Sequence, residues 1–427
     1  MRVMVVGASG FIGSAIIAHL LRGGHEVVSV SRSHPPAAVR EHFQIDLSST
    51  TSFRDWTAAL DRVEAVVNCA GVFRDGPRDS LLGVHVRGVN ALYEACERGG
   101  VRRVVHISAA GVDRETPSAF SRSKRQGEEA LMARTLDWVI LRPGIVFGHP
   151  AYGGSALMRG LAALPVFPVF PGTGPLQLVH LDDLVNTVAF FLHRHAPLRV
   201  AFDVVGPRRW HFEEVVAALR RWMRWPPAVK VKIPNGVAKI IYGAGDVTYA
   251  LGWRTPIGSS ARREMARGAT GDPGPWTAAT GIVPRDIDQT LLRESASVQE
   301  RWFARMYILK PLIFFVFGLF WIFTGLISLG PGYEYGMKLL REGGLSENFG
   351  TMTLVAGALA DIAIGVAILY RPFSRYGLYA ALIISLVYVV VGTSLVPRLW
   401  IDPLGPMLKI WPLLVLNIIA LAIREDR

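Results

Sequence analysis

Cysteine is nearly missing: among 427 residues only Cys69 and Cys96 carry thiols. Two cysteines so placed give neither a metal-ligand spacing nor a disulfide framework. Both fall in segments that read as buried, which suits a reducing cytoplasm. No pattern of His, Asp or Glu suggests a metal site either. A signal peptide is not expected, because "MRVMVVGASG" reads as a strand running into a glycine turn and is interrupted too soon for an export segment.

Acidic residues are in short supply, with 34 Asp and Glu against 46 Lys and Arg and a formal charge of +12. After residue 310 eight basic residues meet seven acidic ones, so almost all of the excess lies before it. A basic domain can bind nucleic acid. A tethered domain facing anionic lipid headgroups accounts for the same charge, and that partner is favoured here over nucleic acid.

Long apolar runs are missing from the first 310 residues and crowd the remainder. Four of them, about Pro311–Leu329, Thr351–Tyr370, Tyr376–Val396 and Leu404–Ile423, approach the roughly 20 residues that a helix needs to cross hydrocarbon. Arg301, Arg305 and Lys310 precede the first run, Arg371 and Arg375 fill the second connection, and Arg424 and Arg427 follow the fourth. These fall on one side by parity, which predicts a multi-pass protein of the cytoplasmic (inner) membrane with its N-terminal domain and C-terminus in the cytoplasm. Asp361 lies mid-span in "GALADIAIG". A charge there either faces a partner or a wet cavity, or is a carboxyl at a close helix contact beside Gly357 and Gly365. Lys409 lies nearer an end, within snorkelling reach.

At the N-terminal end, "VMVVGASGFIGSAIIAHLLRGGHEVVSVSR" reads as strand, glycine turn, helix and second strand. Gly7, Gly10 and Gly13, with Ser9, Phe11 and Ile12 between them, have the spacing that lets a backbone approach a pyrophosphate at a helix N-terminus. An acidic residue able to bind an NAD ribose is lacking at the end of the second strand. Arg32 stands there instead, which favours NADP over NAD as cofactor. Asp46 and Leu47 in "FQIDLSS" are placed for the adenine. Ala70 and Gly71 end the strand "AVVNCAG" where a nucleotide passes closely. "RRVVHISAAG" and "DWVILRPGIVFG" supply further buried strands, predicting a Rossmann-type α/β domain with a doubly wound parallel sheet.

These motifs, with "SAFSRSKRQGEEAL", "VILRPGIVFG" and "LQLVHLDDLVNTV", resemble the extended and atypical branch of the short-chain dehydrogenase/reductase superfamily. The resemblance over about residues 1–290 is to bacterial relatives of the nucleotide-binding accessory subunit of respiratory complex I. From "SVQERWFARMYILKPL" onward the tail resembles a DoxX-like membrane domain. The resemblance implies a catalytic Ser or Thr, Tyr and Lys, with the lysine also on the nicotinamide ribose. Lys124 and Ser108 match. The tyrosine is missing, and Phe120 takes its position. Tyr152 and His180 are the candidate replacements for the lost donor, each weighed against a plain packing role, which is also the reading for His106 and His149.

The expected organisation is a Rossmann domain with substrate-side segments over 1–225, an irregular Gly/Pro/Arg-rich extension or linker over 226–300 that either forms a lid or lies on the membrane, and an all-α four-helix transmembrane bundle over 301–427. In the first, "HFEEVVAALRRWMRW" forms a core stripe of Phe212, Val215, Val216, Leu219, Trp222 and Met223. Two functions fit: a structural or redox-sensing nucleotide-binding module beside a membrane protein partner, or an NADP-dependent oxidoreductase or epimerase with a lipophilic substrate such as a quinone or isoprenoid.

Overall fold

The computed structural model describes residues 1–33, 39–77 and 79–424, so Arg427 of the charge argument lies outside the described residues. The chain divides into two compact units: unit 1 holds Met1–Val247 and Thr255–Ala304, and unit 2 holds Thr248–Arg254 together with the chain from Arg305 onward.

Unit 1 runs β1 (Arg2–Val6), α1 (Phe11–Arg22), β2 (Glu26–Ser31), β3 (Glu41–Gln44), β4 (Ala65–Asn68), α2 (Val89–Arg98), β5 (Arg103–Ile107), α3 (Ala119–Met132), β6 (Asp137–Pro143), β7 (Ile145–Phe147), α4 (Gly153–Ala162), β8 (Val166–Val169), β9 (Leu178–His180), α5 (Leu181–Leu192), β10 (Val200–Val204) and α6 (Phe212–Trp222). Seven strands pair in the order β3-β2-β1-β4-β5-β6-β10, all parallel. Alternation along β1 sends Val3 and Val5 into one apolar layer and Met4 and Val6 into the other. With both faces covered, the strands need the continuous apolar sequence they have. α1 packs through Gly13, Ile16, Ile17 and Leu20, one helical face. The strand order reverses between β1 and β4, and there the sheet opens its crevice.

The stretch expected to be irregular is mostly regular. After β11 (Val229–Lys232), which pairs with β8, come α7 (Asn235–Ala250), α8 (Ser259–Arg267), α9 (Gly274–Thr280) and α10 (Ile287–Arg293). Its prolines and glycines sit mainly at helix ends, as Pro273, Gly258, Gly268 and Gly281 do.

Unit 2 comprises α11 (Val298–Leu329, shared with unit 1 up to Ala304), α12 (Tyr333–Glu342), α13 (Glu347–Leu369), α14 (Ser374–Leu395) and α15 (Ile410–Ala422). Among the described residues three helices are long and apolar enough to cross a membrane: α11, α13 and α14. The expected fourth span is corrected. α15 has 13 residues, about 20 Å at 1.5 Å per residue, against a hydrocarbon core of about 30 Å. Pro403, Gly405 (φ +56°) and Pro406 keep the preceding residues in turns. The first span also differs, since α11 begins well before Pro311 and carries that proline inside it. Small residues set the packing: a Cβ on Gly325 would stand 2.3 Å from Ala358 O, and one on Gly365 2.5 Å from Gly318 O.

Candidate nucleotide site

The crevice is lined first by the glycine turn. Gly7 sits at φ +79°, and its N–H donates to Val30 O at 2.9 Å. A Cβ there would lie 2.8 Å from Ala70 N, and one on Gly13 would lie 2.3 Å from Gly7 O. Gly10 caps α1 without any side-chain hydrogen bond. The first-turn N–H groups around Phe11, Ile12 and Gly13 are therefore left for an anion, which fits the pyrophosphate of a dinucleotide.

At the end of β2, Arg32 Nη2 pairs with Asp79 Oδ1 at 2.9 Å, and the Asp79 side chain is 7% exposed. The arginine expected to meet a 2′-phosphate thus already shares its charge with a carboxylate 47 positions on. Asp46 Oδ1 accepts from Ser48 N at 2.9 Å and Ser48 Oγ at 2.7 Å, an Asx turn that fixes the loop after β3. Leu47 is buried against the one-turn π-helix Gly83–Gly88, where a Cβ on Gly88 would meet Leu47 O at 2.3 Å.

On the side of the crevice expected to hold the nicotinamide, the structure brings Lys124, Phe120, Gly71 and His85 together. Lys124 and Phe120, four apart on α3, share a face. Lys124 is buried, and its Nζ donates to Ile107 O at 3.0 Å. Burial lowers its pKa to about 8, against the pull of Glu128 and Cys69. A Cβ on Gly71 would stand 3.3 Å from Lys124 Nζ and 3.5 Å from His85 Nε2, so glycine leaves a cradle beside the ammonium. Phe120 packs on Phe73 at 4.9 Å and edge-on to His85 at 5.8 Å. Ser108 is buried, and its Oγ has no partner among the described residues. An orphaned hydroxyl of this kind suits a ligand oxygen. The half-exposed Tyr152 stacks on Phe11 at 5.7 Å, which sets it beside the glycine turn.

Sequence reading missed His85. Its Nε2 accepts from Val72 N at 3.1 Å, which places the ring proton on Nδ1, 2.8 Å from Ser123 Oγ; that hydroxyl in turn donates to Phe120 O at 2.9 Å. Burial and the Lys124 charge depress the His85 pKa well below its usual value. The ring is neutral with both nitrogens engaged. Below it, Arg142 holds Glu128 through two hydrogen bonds (3.0 and 2.8 Å) and Asp113 through a third (2.8 Å). Glu128, four residues after Lys124, was legible as a helix neighbour; Arg142 was not. His180 Nδ1 accepts from Asp182 N at the start of α5, His106 bonds Tyr93 and Asn68, and the exposed His149 lies 3.4 Å from Glu300. Cys96 is buried and Cys69 partly so; burial pushes both thiols up to about 12.

Residues 7–161 match the NAD(P)H-binding family, and residues 318–418 match the DoxX-like family. Ceramide reductase of Caulobacter vibrioides is 25% identical over 193 residues, 44% of this chain and 60% of the relative. The mitochondrial 40 kDa subunit of NADH-ubiquinone oxidoreductase of Neurospora crassa is 24% identical over 300 residues, 66% of this chain and 76% of the subunit. The alignment covers 24% of the length of a similar but uncharacterised protein of Mycobacterium tuberculosis. Among solved structures, MoeE5 in complex with UDP-glucuronic acid and NAD shares the fold at a TM-score of 0.54, with 20% identity over 72% of this chain and 99% of that one. The chain thus joins a segment that matches the NAD(P)H-binding family, on a fold shared with MoeE5, to a segment that matches the DoxX-like family.

Proposed function

We propose that this protein is a membrane-tethered nucleotide-binding module with little dehydrogenase chemistry of the usual kind, acting structurally or as a redox-state sensor beside a membrane partner. The observation that carries this reading is Phe120, a ring without a hydroxyl packed between Phe73 and His85 at the position next to Lys124. A bound nicotinamide dinucleotide would supply or accept hydride. The chain's own residues then do the following: the glycine turn takes the pyrophosphate, the Lys124 ammonium takes the ribose, and Ser108 Oγ offers one hydrogen bond. No proton donor stands at residue 120. Arg32, a basic residue at the end of β2 where an acidic one would suit NAD, supports NADP as the preferred cofactor. The basic residues at one set of helix ends support a cytoplasmic unit 1 on an inner membrane.

A second reading, an oxidoreductase or epimerase with a lipophilic substrate, is favoured by the hydroxyl of Tyr152 beside Phe11 and by the name of the ceramide reductase relative. The test uses full-length protein in lipid nanodiscs with NADPH and a membrane lipid extract. The native chain is expected to turn over barely, and Phe120→Tyr to raise the rate about tenfold or more with cofactor affinity unchanged, because general acids contribute about 10²–10⁴-fold. Rapid native turnover that Tyr152→Phe abolishes would establish the second reading instead.

A further inference from the structure

α7 breaks the rule that a surface helix shows water its polar side. Its inner face is conventional: Ala238 is buried, Tyr242 packs on Phe170 at 5.6 Å, and a Cβ on Gly245 would meet Ile257 O at 2.4 Å. The opposite face carries Gly236, Val237, Ile240, Gly243, Ala244 and Val247, all exposed, with Ile240 at 72% and Val247 at 62%. No charge interrupts it. The helix has two charged residues: Lys239 lies on the flank of the apolar face, and Asp246 accepts from Arg74 at 2.7 Å and from Ser259 N at 3.0 Å. A helix apolar on both sides is not a stable solution in water.

Two further observations say what covers it. At Thr248 the chain passes directly into the segment Thr248–Arg254 of unit 2, where Trp253 Nε1 donates to Leu369 O at 2.7 Å and the Trp253 ring meets Phe314 at 4.6 Å. The strand before α7 has the same mixed character, with the exposed Val229 and Val231 alternating with Lys230 and Lys232. Apolar side chains with lysines at their margin are what an interfacial helix presents to lipid, its stems in the acyl boundary and its ammonium groups among the phosphates.

We infer that α7 lies in the surface of the bilayer, with Val237, Ile240 and Val247 sunk among the lipid chains. This rests on the reading of unit 2 as membrane-spanning, and the experiment separates the two. Single cysteines at Ile240, Val237, Phe323 and Arg62 are labelled with an environment-sensitive fluorophore. Cys96 is buried and Cys69 partly so, and any label taken up by the chain without an added cysteine is subtracted. Each full-length protein is reconstituted into vesicles of phosphatidylcholine with a minority of phosphatidylglycerol, containing nitroxide-labelled lipid. Phe323 is 54% exposed within α11, and Arg62 is a water-facing control in unit 1.

The expected result is several-fold stronger lipid quenching at Ile240 and Val237 than at Arg62, approaching that at Phe323. Quenching at Phe323 alone, with Ile240 reached by aqueous iodide, would overturn the inference and leave the membrane reading standing. Protection of Ile240 from both quenchers, with self-quenching between labelled copies, would also overturn it, by making a second copy of the chain the cover. Absence of quenching at Phe323 would remove the membrane reading and the inference together.

Discussion

The two units bury polar groups under opposite conditions. In unit 1 the buried carboxylate Glu128 is held by opposite charge: it is fully buried and receives two N–H donors from Arg142, which also holds Asp113. In unit 2 the outward surface is itself apolar, with Phe323, Ile383 and Val390 among many exposed side chains, and the polar groups point inward. There Asp361 has one donor, Tyr388 OH at 2.9 Å, and Asn417 reaches Leu378 O at 3.1 Å. The difference shows that a buried polar group is judged by what the alternative would be. For Glu128 the alternative is water, so a lone buried carboxylate there is costly and has to be matched. Outside the spans of unit 2 lies lipid, so a modestly partnered carboxyl inside is the lesser penalty.

The sharpest way to break this comparison is Arg142→Ala. It strands Glu128 and is expected to cost about 3–5 kcal/mol of stability, the range for half of a buried pair, read as a drop in the thermal midpoint of unit 1. A change within experimental error would mean that the network is not what holds the loop after β5. Asp361→Leu is the matching test in unit 2. Interhelical hydrogen bonds in bilayers average about 0.6 kcal/mol, so insertion and nucleotide binding should survive, while complementation of a deletion strain fails if the carboxyl serves a membrane partner. Full complementation at normal protein level would make Asp361 a packing detail.

Lys124 stands between these cases, buried with only a carbonyl on its ammonium. Its pKa is lowered from 10.5 to about 8. Between those two values the unfolded chain holds the extra proton, so stability rises with pH across that window while the folded lysine is already neutral. Dinucleotide affinity should move the other way, falling by about tenfold per pH unit above pH 8; a flat profile up to pH 10 in calorimetric titration would separate the ammonium from binding. A small effect also belongs to Arg32, one-third exposed and already paired. Arg32→Asp should turn the preference from NADPH toward NADH by about 1 kcal/mol, and Asp79→Asn should strengthen the preference for NADPH. Equal affinities in all three proteins would deny Arg32 any part in the choice.

What was legible in the sequence was local. Gly7, Gly10 and Gly13 announce their turn through spacing, and Lys124 stands four residues from Phe120 on one helix. The contacts across long stretches were not legible. Arg32 meets Asp79, Arg142 meets Glu128, and Arg74 reaches Asp246 across 172 residues. Hydropathy counted Leu404–Ile423 as a span because it does not register that Pro403, Gly405 and Pro406 deny the first residues a helical backbone. It also passed over α7, whose lack of a polar face removes the alternation that marks a surface helix.

The seven residues Thr248–Arg254 also impose an order on the birth of the chain. β10, the last strand of the seven-stranded sheet, is complete at Val204, whereas Trp253 donates to Leu369 across 116 residues and Leu251 O accepts from Arg371 N. At about 5–20 residues per second, the ribosome reaches Leu369 roughly 6–23 s after Trp253. Throughout that interval the indole waits without its partner while the nucleotide domain is free to fold. A chain cut anywhere before α13 keeps Trp253 in that waiting state permanently.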